Sequence, residues 1–359
     1  MVAAPNPRRF SLQQTMLRIK DPLISVPFYT ENFGMQLLHK YDFPQWSFSL
    51  YFLGILAPGQ TWPAPSSKES EAALWSMTGS CLELTHNYGS EKDDNFAVNN
   101  GNVEPHRGFG HIALMCPDVY AACASFEEKG LNFQKKPDEG RMKGLAFLKD
   151  PDGYWIEIIK RSPDSIVPVS TPFTLAQTMQ RVKDPVKSLK FYCDLLGMTC
   201  LRKSHYGDFS LYFLAHLPPG TVCPDPESEE CKEFIMKIFP QVLELTHNHG
   251  TENDPDFKYH NGNDQDKGQL RGFGKKSLGY FAPLSLSHSL SLSQHTHTHS
   301  LLSGHTGFLV DNLEETCTWL ESQGVVFKKK PQDGAMNQLA FAYDPDGYWV
   351  EIIQKGASF

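Results

Sequence analysis

The chain has 359 residues, too many for one domain of ordinary size and enough for two. Hydrophobic residues make up 40% and charged residues 21%, as in ordinary globular proteins, and the formal net charge of −8 excludes nucleic acid as the main partner, because phosphate binding needs a basic surface. No apolar run approaches the roughly 18 residues of a membrane helix, and we expect no secretory signal. Eight cysteines without a C-x-x-C spacing predict reduced thiols and a cytoplasmic protein, not a zinc ribbon or a disulfide framework.

The chain contains two copies of one sequence pattern. Matching residues are 161 to 164 positions apart through most of the chain and 194 apart at the last motif, which places about 30 additional residues in the second copy. Five motifs recur in the same order: residues 13–22 at 176–185, 48–53 at 209–214, 82–87 at 243–248, 107–110 at 271–274 and 150–159 at 344–353. We therefore expect a tail at 1–10, a first domain at 11–165 and a second domain at 166–359, interrupted by an insertion at 275–304.

The inserted segment is of low complexity: residues 284–293 are almost all Leu and Ser, and residues 295–299 alternate His and Thr. It has too few large apolar side chains to offset the entropy of ordering it, so we expect disorder. Repeated CT and CA dinucleotides encode these residue pairs, and we interpret the segment as a retained intron or a gene-model error, with a His-rich metal tract as the alternative. The repeat resumes behind it, so His305 is the counterpart of His111.

The first half of each copy is expected to contain a strand, a helix and further strands. In the first copy, a strand that carries Gln14 and Arg18 on one face leads to Asp21, a residue type favoured as a helix N-cap, and then to a proline at the first helical position. The helix is expected to end at Gly34, because glycine is favoured at helix C-termini. Further strands are expected near 48–53 and 81–86, with a connecting segment.

The second half of each copy repeats this order. The composition of residues 150–153 (DPDG) predicts a tight hairpin turn. In the first copy we expect a strand at 109–115, a helix at 118–129 that stops at Gly130, and strands at 132–135, 145–149 and 154–159. Four modules of strand, helix and three strands indicate an α+β fold in which small sheets curl around a cleft.

Four residue types stand out in this pattern. Glu83 and Glu157 each lie in a strand of alternating pattern, and Glu157 shares its strand face with Trp155, where a carboxylate is costly unless it is paired or bound to a metal. Gln14 interrupts a β-prone run, and His111 opens a strand. Each residue alone is most often an ordinary surface or core residue. Their recurrence in both copies favours a functional site.

In these motifs the chain resembles the glyoxalase I (lactoylglutathione lyase) family of the eukaryotic, long-loop, tandem type, within the vicinal-oxygen-chelate superfamily. The resemblance covers nearly the whole chain apart from the tail and the insertion. It implies four βαβββ modules paired into two curved-sheet metal sites, with the first quarter of the chain paired with the fourth and the second with the third. One implied metal site consists of Gln14, Glu83, His305 and Glu351, and the other of Gln177, Glu244, His111 and Glu157.

The resemblance implies that the enzyme isomerises the hemithioacetal of methylglyoxal and glutathione to S-D-lactoylglutathione, which detoxifies methylglyoxal. A divalent metal would stabilise the developing enediolate, while a carboxylate moves the proton. Glu157 and Glu351 are the implied principal bases, and Glu83 and Glu244 face them. Mixed oxygen and imidazole ligands suit zinc, nickel or cobalt, and the long-loop type resembles the zinc class.

The two carboxylates of glutathione need basic or amide partners, and the resemblance implies nine. They are Arg18, Asn87, Arg107, Lys135 and Arg141 in the first copy, and Arg181, Asn248, Arg271 and Lys329 in the second. Ala335 stands at the position that matches Arg141, which removes one anion contact. Candidates for the apolar pocket, or simply for the core, are Phe43, Leu50, Phe52, Met142, Leu145 and Phe147.

Two other functions remain open at this stage. A non-catalytic binding protein on the same fold is disfavoured by the carboxylates at both metal positions. A relative of the extradiol dioxygenases would need two His and one carboxylate on iron, where this chain has Gln14 and Glu83. Because the insertion lies directly before His305, we expect it to disturb the pairing of that strand and, together with Ala335, to weaken the Gln14 site. Fusion of the two copies predicts a monomer.

Overall fold

The structure, a computed structural model, describes residues 9–57, 59–165, 173–238, 241–262 and 304–359. Most of the predicted tail, the insertion apart from Gly304, and Arg271 lie outside the described residues. No helix in these ranges is long and apolar enough to cross a membrane.

The described residues form sixteen strands and six helices. In the first copy these are β1 (Ser11–Ile19), α1 (Pro22–Phe33), β2 (Gln36–Phe43), β3 (Phe48–Gly54), α2 (Lys68–Leu74), β4 (Cys81–Asn87), β5 (Phe109–Cys116), α3 (Val119–Glu128), β6 (Phe133–Lys135), β7 (Ala146–Lys149) and β8 (Trp155–Lys160). In the second they are β9 (Thr174–Arg181), α4 (Pro185–Leu189, continued by a π-helical segment at Lys190–Leu195), β10 (Thr199–His205), β11 (Phe209–Ala215), α5 (Glu230–Lys237), β12 (Val242–Asn248), β13 (His305–Val310), α6 (Leu313–Ser322), β14 (Phe327–Lys329), β15 (Leu339–Tyr343) and β16 (Trp349–Gln354).

The predicted helix boundaries of the first copy agree with local chemistry. The Asp21 carboxylate accepts a hydrogen bond from the Leu23 amide at 2.8 Å and so satisfies an amide at the start of α1. Gly34 ends α1 with a φ of 67°, a left-handed conformation that glycine adopts without strain. The Asp118 side chain caps α3 in the same way as Asp21 caps α1.

Two helices, α2 and α5, were not predicted. They lie between the third and fourth strands of the first and third modules. The α2 helix has only seven residues and is capped by Ser67, whose Oγ accepts from the Ser70 amide at 3.0 Å. A helix of two turns presents too few residues for a periodic apolar pattern, so the sequence carries little signal for it.

The strands form two eight-stranded mixed sheets, ordered β14-β15-β16-β13-β1-β4-β3-β2 and β10-β11-β12-β9-β5-β8-β7-β6. The first joins the first and fourth modules and is called here the Gln14 sheet. The second joins the second and third modules and is called the Gln177 sheet. This arrangement confirms the predicted α+β fold and module pairing. The expectation that the insertion disturbs the strand behind it is wrong, because β13 pairs antiparallel with β1 and parallel with β16.

The two largest hydrophobic cores follow the copies, whereas the sheets do not, and a third core that includes Met16 and Phe341 also joins modules of different copies. One buried cluster packs the first and second modules together and includes Leu17, Phe33 and Phe126. A second cluster packs the third and fourth modules and includes Phe191 and Ile352. Each copy therefore holds its two modules together by apolar packing, and each sheet joins one module from each copy by backbone hydrogen bonds.

The predicted turn at residues 150–153 also connects two modules. Asp152 accepts hydrogen bonds from the Lys20 amide and from Ser25 Oγ, both at 2.7 Å. Asp150 is buried and accepts from Tyr29 Oη at 2.8 Å. Burial and the neighbouring Asp152 raise the pKa of Asp150 to about 7. The turn thus binds the second module to the start of α1 in the first.

The matching turn of the second copy has one more donor. Tyr192 donates to Asp344 at 2.8 Å, and Gln180 Nε2 donates to the same carboxylate oxygen at 3.3 Å. Leu17 takes the position of Gln180 in the first copy. Asp150 therefore depends on Tyr29 for a contact that Asp344 receives twice.

We predict that Tyr29→Phe is more destabilising than Tyr192→Phe. Removing the Tyr29 hydroxyl leaves one oxygen of the buried Asp150 without its side-chain donor, which costs about 1–3 kcal/mol, whereas Gln180 limits the cost of Tyr192→Phe to about 1 kcal/mol. Urea unfolding at neutral pH measures both. Equal losses would contradict the compensating role of Gln180.

Candidate functional site

The first cluster of predicted site residues lies on the seam of the Gln14 sheet, which is the β1–β13 pair where its two modules meet. Gln14 Nε2 lies 2.6 Å from Glu83 Oε2 and 2.8 Å from Glu351 Oε2. His305 Nε2 lies 2.8 Å from Glu351 Oε2, 3.6 Å from Glu83 Oε2 and 3.5 Å from Gln14 Nε2. All four side chains are buried. The structure therefore brings this predicted set together from the first and last modules.

The second cluster repeats this geometry on the Gln177 sheet. Gln177 Nε2 lies 2.8 Å from Glu157 Oε2 and 2.7 Å from Glu244 Oε2. His111 Nε2 lies 3.3 Å from Glu157 Oε2 and 3.6 Å from Glu244 Oε2. In each cluster the candidate ligand atoms of the two Glu and the His all lie within 4.8 Å of one another. We call the two clusters the Gln14 site and the Gln177 site.

A small residue lies between the glutamine and one glutamate of each cluster and lets these two side chains meet. This small residue was not among the predicted site residues. Gln14 and Glu351 flank Gly307 on successive strands, and Gln177 and Glu157 flank Ala113. A Cβ atom on Gly307 would lie only 2.5 Å from Gln14 Cγ, so the glutamine side chain occupies the space above that glycine. A small residue two positions after each site histidine is the signal that would have revealed this arrangement.

The Gln14 amide also leaves one polar atom in an unusual position. No donor among the described residues reaches the buried Gln14 Oε1. Rotation of the amide by 180° exchanges its two atoms and turns Oε1 towards Glu83, Glu351 and His305. Four atoms with lone pairs would then face one point, which is repulsive without a cation and favourable around one. The donor set therefore fits a divalent metal.

Without a metal, each histidine holds a proton against its carboxylates. Burial alone lowers the pKa of His111, but Glu157 and Glu244 outweigh it and raise the pKa to about 9. Burial is likewise outweighed at His305, where Glu351 and Glu83 raise the pKa to about 10. Burial also raises the pKa of Glu351. The metal-free clusters are therefore ion pairs at neutral pH.

The predicted glutathione-binding residues divide between the sites across the copies. The strands of the Gln177 sheet and the loops next to them carry Arg181 and Asn248 of the second copy and Arg107, Lys135 and Arg141 of the first. The Arg181 guanidinium donates to three backbone carbonyl oxygens, at Gly101, Gly108 and Phe109, over 3.0–3.3 Å. Asn248 donates to Tyr259 Oη at 2.7 Å, and Lys135 Nζ to the Leu145 carbonyl at 2.7 Å. Arg107 and Arg141 are partly or largely exposed to solvent.

The Gln14 site has a smaller set among the described residues. Arg18 is buried and donates to the Asn87 side chain. Lys329 Nζ donates to the Met336 carbonyl at 2.6 Å and the Leu339 carbonyl at 3.2 Å. Ala335 lies in the loop between β14 and β15, in the place that Arg141 takes beside the other site.

We predict that the metal-free protein loses stability as the pH rises from 7 to 10. The folded-state pKa of His111 and His305 lies above the unfolded value near 6.5, so their contribution is complete below pH 6.5 and is lost as the pH passes about 9 and about 10. Each histidine contributes at most on the order of 1.4 kcal/mol per pH unit. Urea unfolding with a chelator present should show this decline, and the double variant His111→Asn, His305→Asn should lack this part of it. An identical decline in both proteins would contradict the assignment of this pH dependence to His111 and His305.

Comparison with known proteins agrees with this geometry. A family model described as Glyoxalase/Bleomycin resistance protein/Dioxygenase superfamily matches residues 11–158 and 174–352. Glyoxalase I of Saccharomyces cerevisiae is 38% identical over 360 residues, covering 98% of this chain and 95% of that protein. Lactoylglutathione lyase of Schizosaccharomyces pombe is 37% identical over 357 residues, covering 99% and 100%. A crystal structure of a glyoxalase I mutant from Zea mays shares the fold, with a TM-score of 0.61 at 24% identity over 97% of this chain and 94% of that one. The chain belongs to the Glyoxalase/Bleomycin resistance protein/Dioxygenase superfamily and, within it, to the two-copy glyoxalase I family.

Proposed function

We propose that this protein is a lactoylglutathione lyase that isomerises the hemithioacetal of methylglyoxal and glutathione to S-D-lactoylglutathione and so removes methylglyoxal. The observation that carries the proposal is the convergence of one Gln, two Glu and one His at each sheet seam, within 4.8 Å for the Glu and His ligand atoms. Relatives named glyoxalase I and lactoylglutathione lyase, at 37–38% identity over nearly the full chain, support it.

Each site is proposed to hold one divalent metal, zinc by preference, through its Gln, both Glu and its His. The set contains oxygen and imidazole donors and no thiolate, which suits zinc, nickel or cobalt. The orphaned Oε1 of Gln14 supports the assignment, because a metal gives this buried acceptor a partner. When bound, the metal supplies positive charge that stabilises negative charge developing on the substrate oxygens.

The proposed bases are Glu351 in the Gln14 site and Glu157 in the Gln177 site. The carboxylate removes the proton from the carbon that bears the sulfur and returns it to the neighbouring carbon, the former carbonyl carbon, while the hydroxyl proton passes between the two oxygens. Phe341 and Phe147 lie beside these glutamates on the neighbouring strands, each with its ring 5.2 Å from the site histidine. Their rings exclude water, which keeps the proton on the carboxylate between the two steps.

Glutathione is proposed to bind through the basic and amide side chains around each site. The Gln177 site has the fuller set, because Arg141 lies in its loop and Ala335 takes that position at the Gln14 site. Burial lowers the pKa of Arg181, and the neighbouring charge of Arg107 lowers it further, so an anion beside this pair is favoured. We therefore propose that the Gln177 site is the stronger of the two.

The remaining proposals concern the state of the protein. All eight cysteines are free in the structure, which supports a reducing compartment, and we propose the cytoplasm. Each sheet already contains a module from each copy, so the chain completes both sites by itself, and we propose a monomer. The domain limits proposed are 11–165 and 166–359, which the matched ranges 11–158 and 174–352 support.

We predict that Glu157→Gln and Glu351→Gln each remove one of two activities. With zinc-loaded protein, methylglyoxal and glutathione, thioester formation should persist in part in each variant and fall by on the order of 10²–10⁴-fold in the double variant, because a general base contributes that much. The activity left in Glu351→Gln should be the larger. If the unmutated protein forms no thioester with any divalent metal, the lyase proposal is wrong and a non-catalytic binding protein takes its place.

We also predict that Gly307→Val reduces the number of bound metal ions from two per chain to one. Its Cβ atom would lie 2.5 Å from Gln14 Cγ, and Ala113 shows that the equivalent position of the Gln177 site holds one methyl group and no branch. The matched control is Gly307→Ala, which copies the residue of the Gln177 site and should keep two ions. Metal analysis after exhaustive dialysis decides the point. Two ions bound by Gly307→Val would argue against Gln14 as a ligand.

A further inference from the structure

The two halves of the molecule carry different side chains at equivalent positions beside their sites. The backbone shows the equivalence: the Gly356 amide donates to the Trp75 carbonyl at 3.0 Å, and the Ser162 amide donates to the Met236 carbonyl at 3.2 Å. The segment that follows β16 therefore passes α2 as the segment that follows β8 passes α5. Side chains at these positions can be compared one by one.

Beside the Gln14 site these positions build an aromatic wall, which consists of Tyr41, Phe52, Trp75 and Phe359. Phe52 lies directly opposite Glu83 on the neighbouring strand. Its ring centroid lies 5.4 Å from that of Trp75 and 6.1 Å from that of Tyr41. The ring of Phe359 closes the group, 5.6 Å from Trp75 and 6.2 Å from Tyr41. The wall thus runs from a site glutamate to the segment after β16.

Glu71 on α2 binds this segment by hydrogen bonds, and we call Glu71 with its hydrogen-bond donors the clasp. Its carboxylate accepts from the Phe359 amide at 2.8 Å, from Ser358 Oγ at 2.9 Å and from Tyr41 Oη at 2.7 Å. Burial alone would raise the pKa of Glu71, but the donors at Phe359, Tyr41 and Ser358 keep it below its usual range, so the clasp remains ionised at neutral pH. The Trp75 indole donates to Tyr41 Oη at 2.8 Å.

None of the clasp is present at the Gln177 site. The positions of Tyr41, Trp75, Phe359 and Glu71 are occupied there by Ser204, Met236, Ser165 and Lys232. In place of a packed ring there is a cavity of about 10 Å³, which has room for about one water molecule. It is lined by Met115, Ser165, Thr174, Leu175, Ala176, Ile235, Ile238 and Val242. Only the phenylalanine opposite the glutamate is common to both, as Phe213 faces Glu244.

We propose that the segment Gly356–Phe359, clasped by Glu71, closes the apolar end of the Gln14 site, so that this site accepts hemithioacetals with small substituents while the Gln177 site also accepts bulky, aryl-bearing ones. The proposal rests on the proposed lyase function and assigns a substrate class to each site. Packed interiors do not yield to an extra ring without displacing a neighbour, whereas Ser165, Ser204 and the flexible Met236 occupy less space or can move aside for one.

The test compares two chains that each retain one site. Glu157→Gln retains the Gln14 site and Glu351→Gln the Gln177 site, and each is assayed with the glutathione adducts of methylglyoxal and phenylglyoxal. We expect the ratio of kcat/KM for phenylglyoxal to that for methylglyoxal to be at least about tenfold lower in the Glu157→Gln chain. Adding Phe359→Ser to that chain places the residue of the other half in the wall and should raise the ratio towards that of the Glu351→Gln chain.

Two further variants keep the test decisive. Glu71→Gln weakens the clasp without removing a ring, and it should raise the ratio in the same direction if Phe359→Ser does not fold. Ser165→Phe in the Glu351→Gln chain should lower the ratio. Equal ratios in the two single-site chains, or ratios unmoved by Phe359→Ser and Glu71→Gln in folded protein, would overturn the inference alone. Absence of methylglyoxal turnover in both chains and in the unmutated protein would instead overturn the proposed function.

Discussion

Two antiparallel strand pairs, β1 with β13 and β5 with β9, decide where the polar side chains of both clusters lie. A buried carboxylate is costly unless charged or donor groups surround it, and two lie close together in each cluster. In each strand pair a glutamine lies across from a small residue, so that its amide reaches over the small residue to the glutamate on the next strand. The histidine on the strand of the small residue adds a positive charge. The four groups therefore satisfy one another's hydrogen bonds and charges without a metal, and a bound metal ion can take the place of the proton that they share.

The two largest cores and the sheets divide the chain in different ways, and this division explains why one copy alone does not make a site. Apolar packing and the turn at Asp150 and Asp152 hold the two modules of one copy together. Backbone pairing then joins each module to a partner from the other copy. A site glutamine and glutamate come from one copy, and the histidine and second glutamate from the other. Covalent fusion keeps these halves at high effective concentration.

Duplication inside one chain also allows the two sites to diverge, since neither is bound by symmetry to match the other. The distances within the clusters have stayed nearly the same, because they are set by strand register. The surroundings differ: Gly307 corresponds to Ala113, Ala335 corresponds to Arg141, and the aromatic wall of one half corresponds to small side chains and a cavity in the other. Ala335 and Phe359 lie outside the strands, where substitutions disturb pairing least, whereas Gly307 and Tyr41 lie within strands and differ from their counterparts without a change of register.

Most of what is local could be read from the sequence. The caps at Asp21 and Gly34, the strand faces and the repeat led to the helices, the module order and, through the family resemblance, the two ligand sets. The reach of Gln14 over Gly307, the contacts of Asp150 with Tyr29, the short helix α2 and the clasp at Glu71 could not be read in this way. The helix α2 is too short for a periodic pattern. The other contacts join residues from about 30 to nearly 300 positions apart, and a sequence specifies them only through the register and packing of strands that have already come together. The sequence by itself determined the elements and the chemical groups on them, and the tertiary structure decided which groups meet, because burial and strand pairing act between segments that the chain order does not bring together.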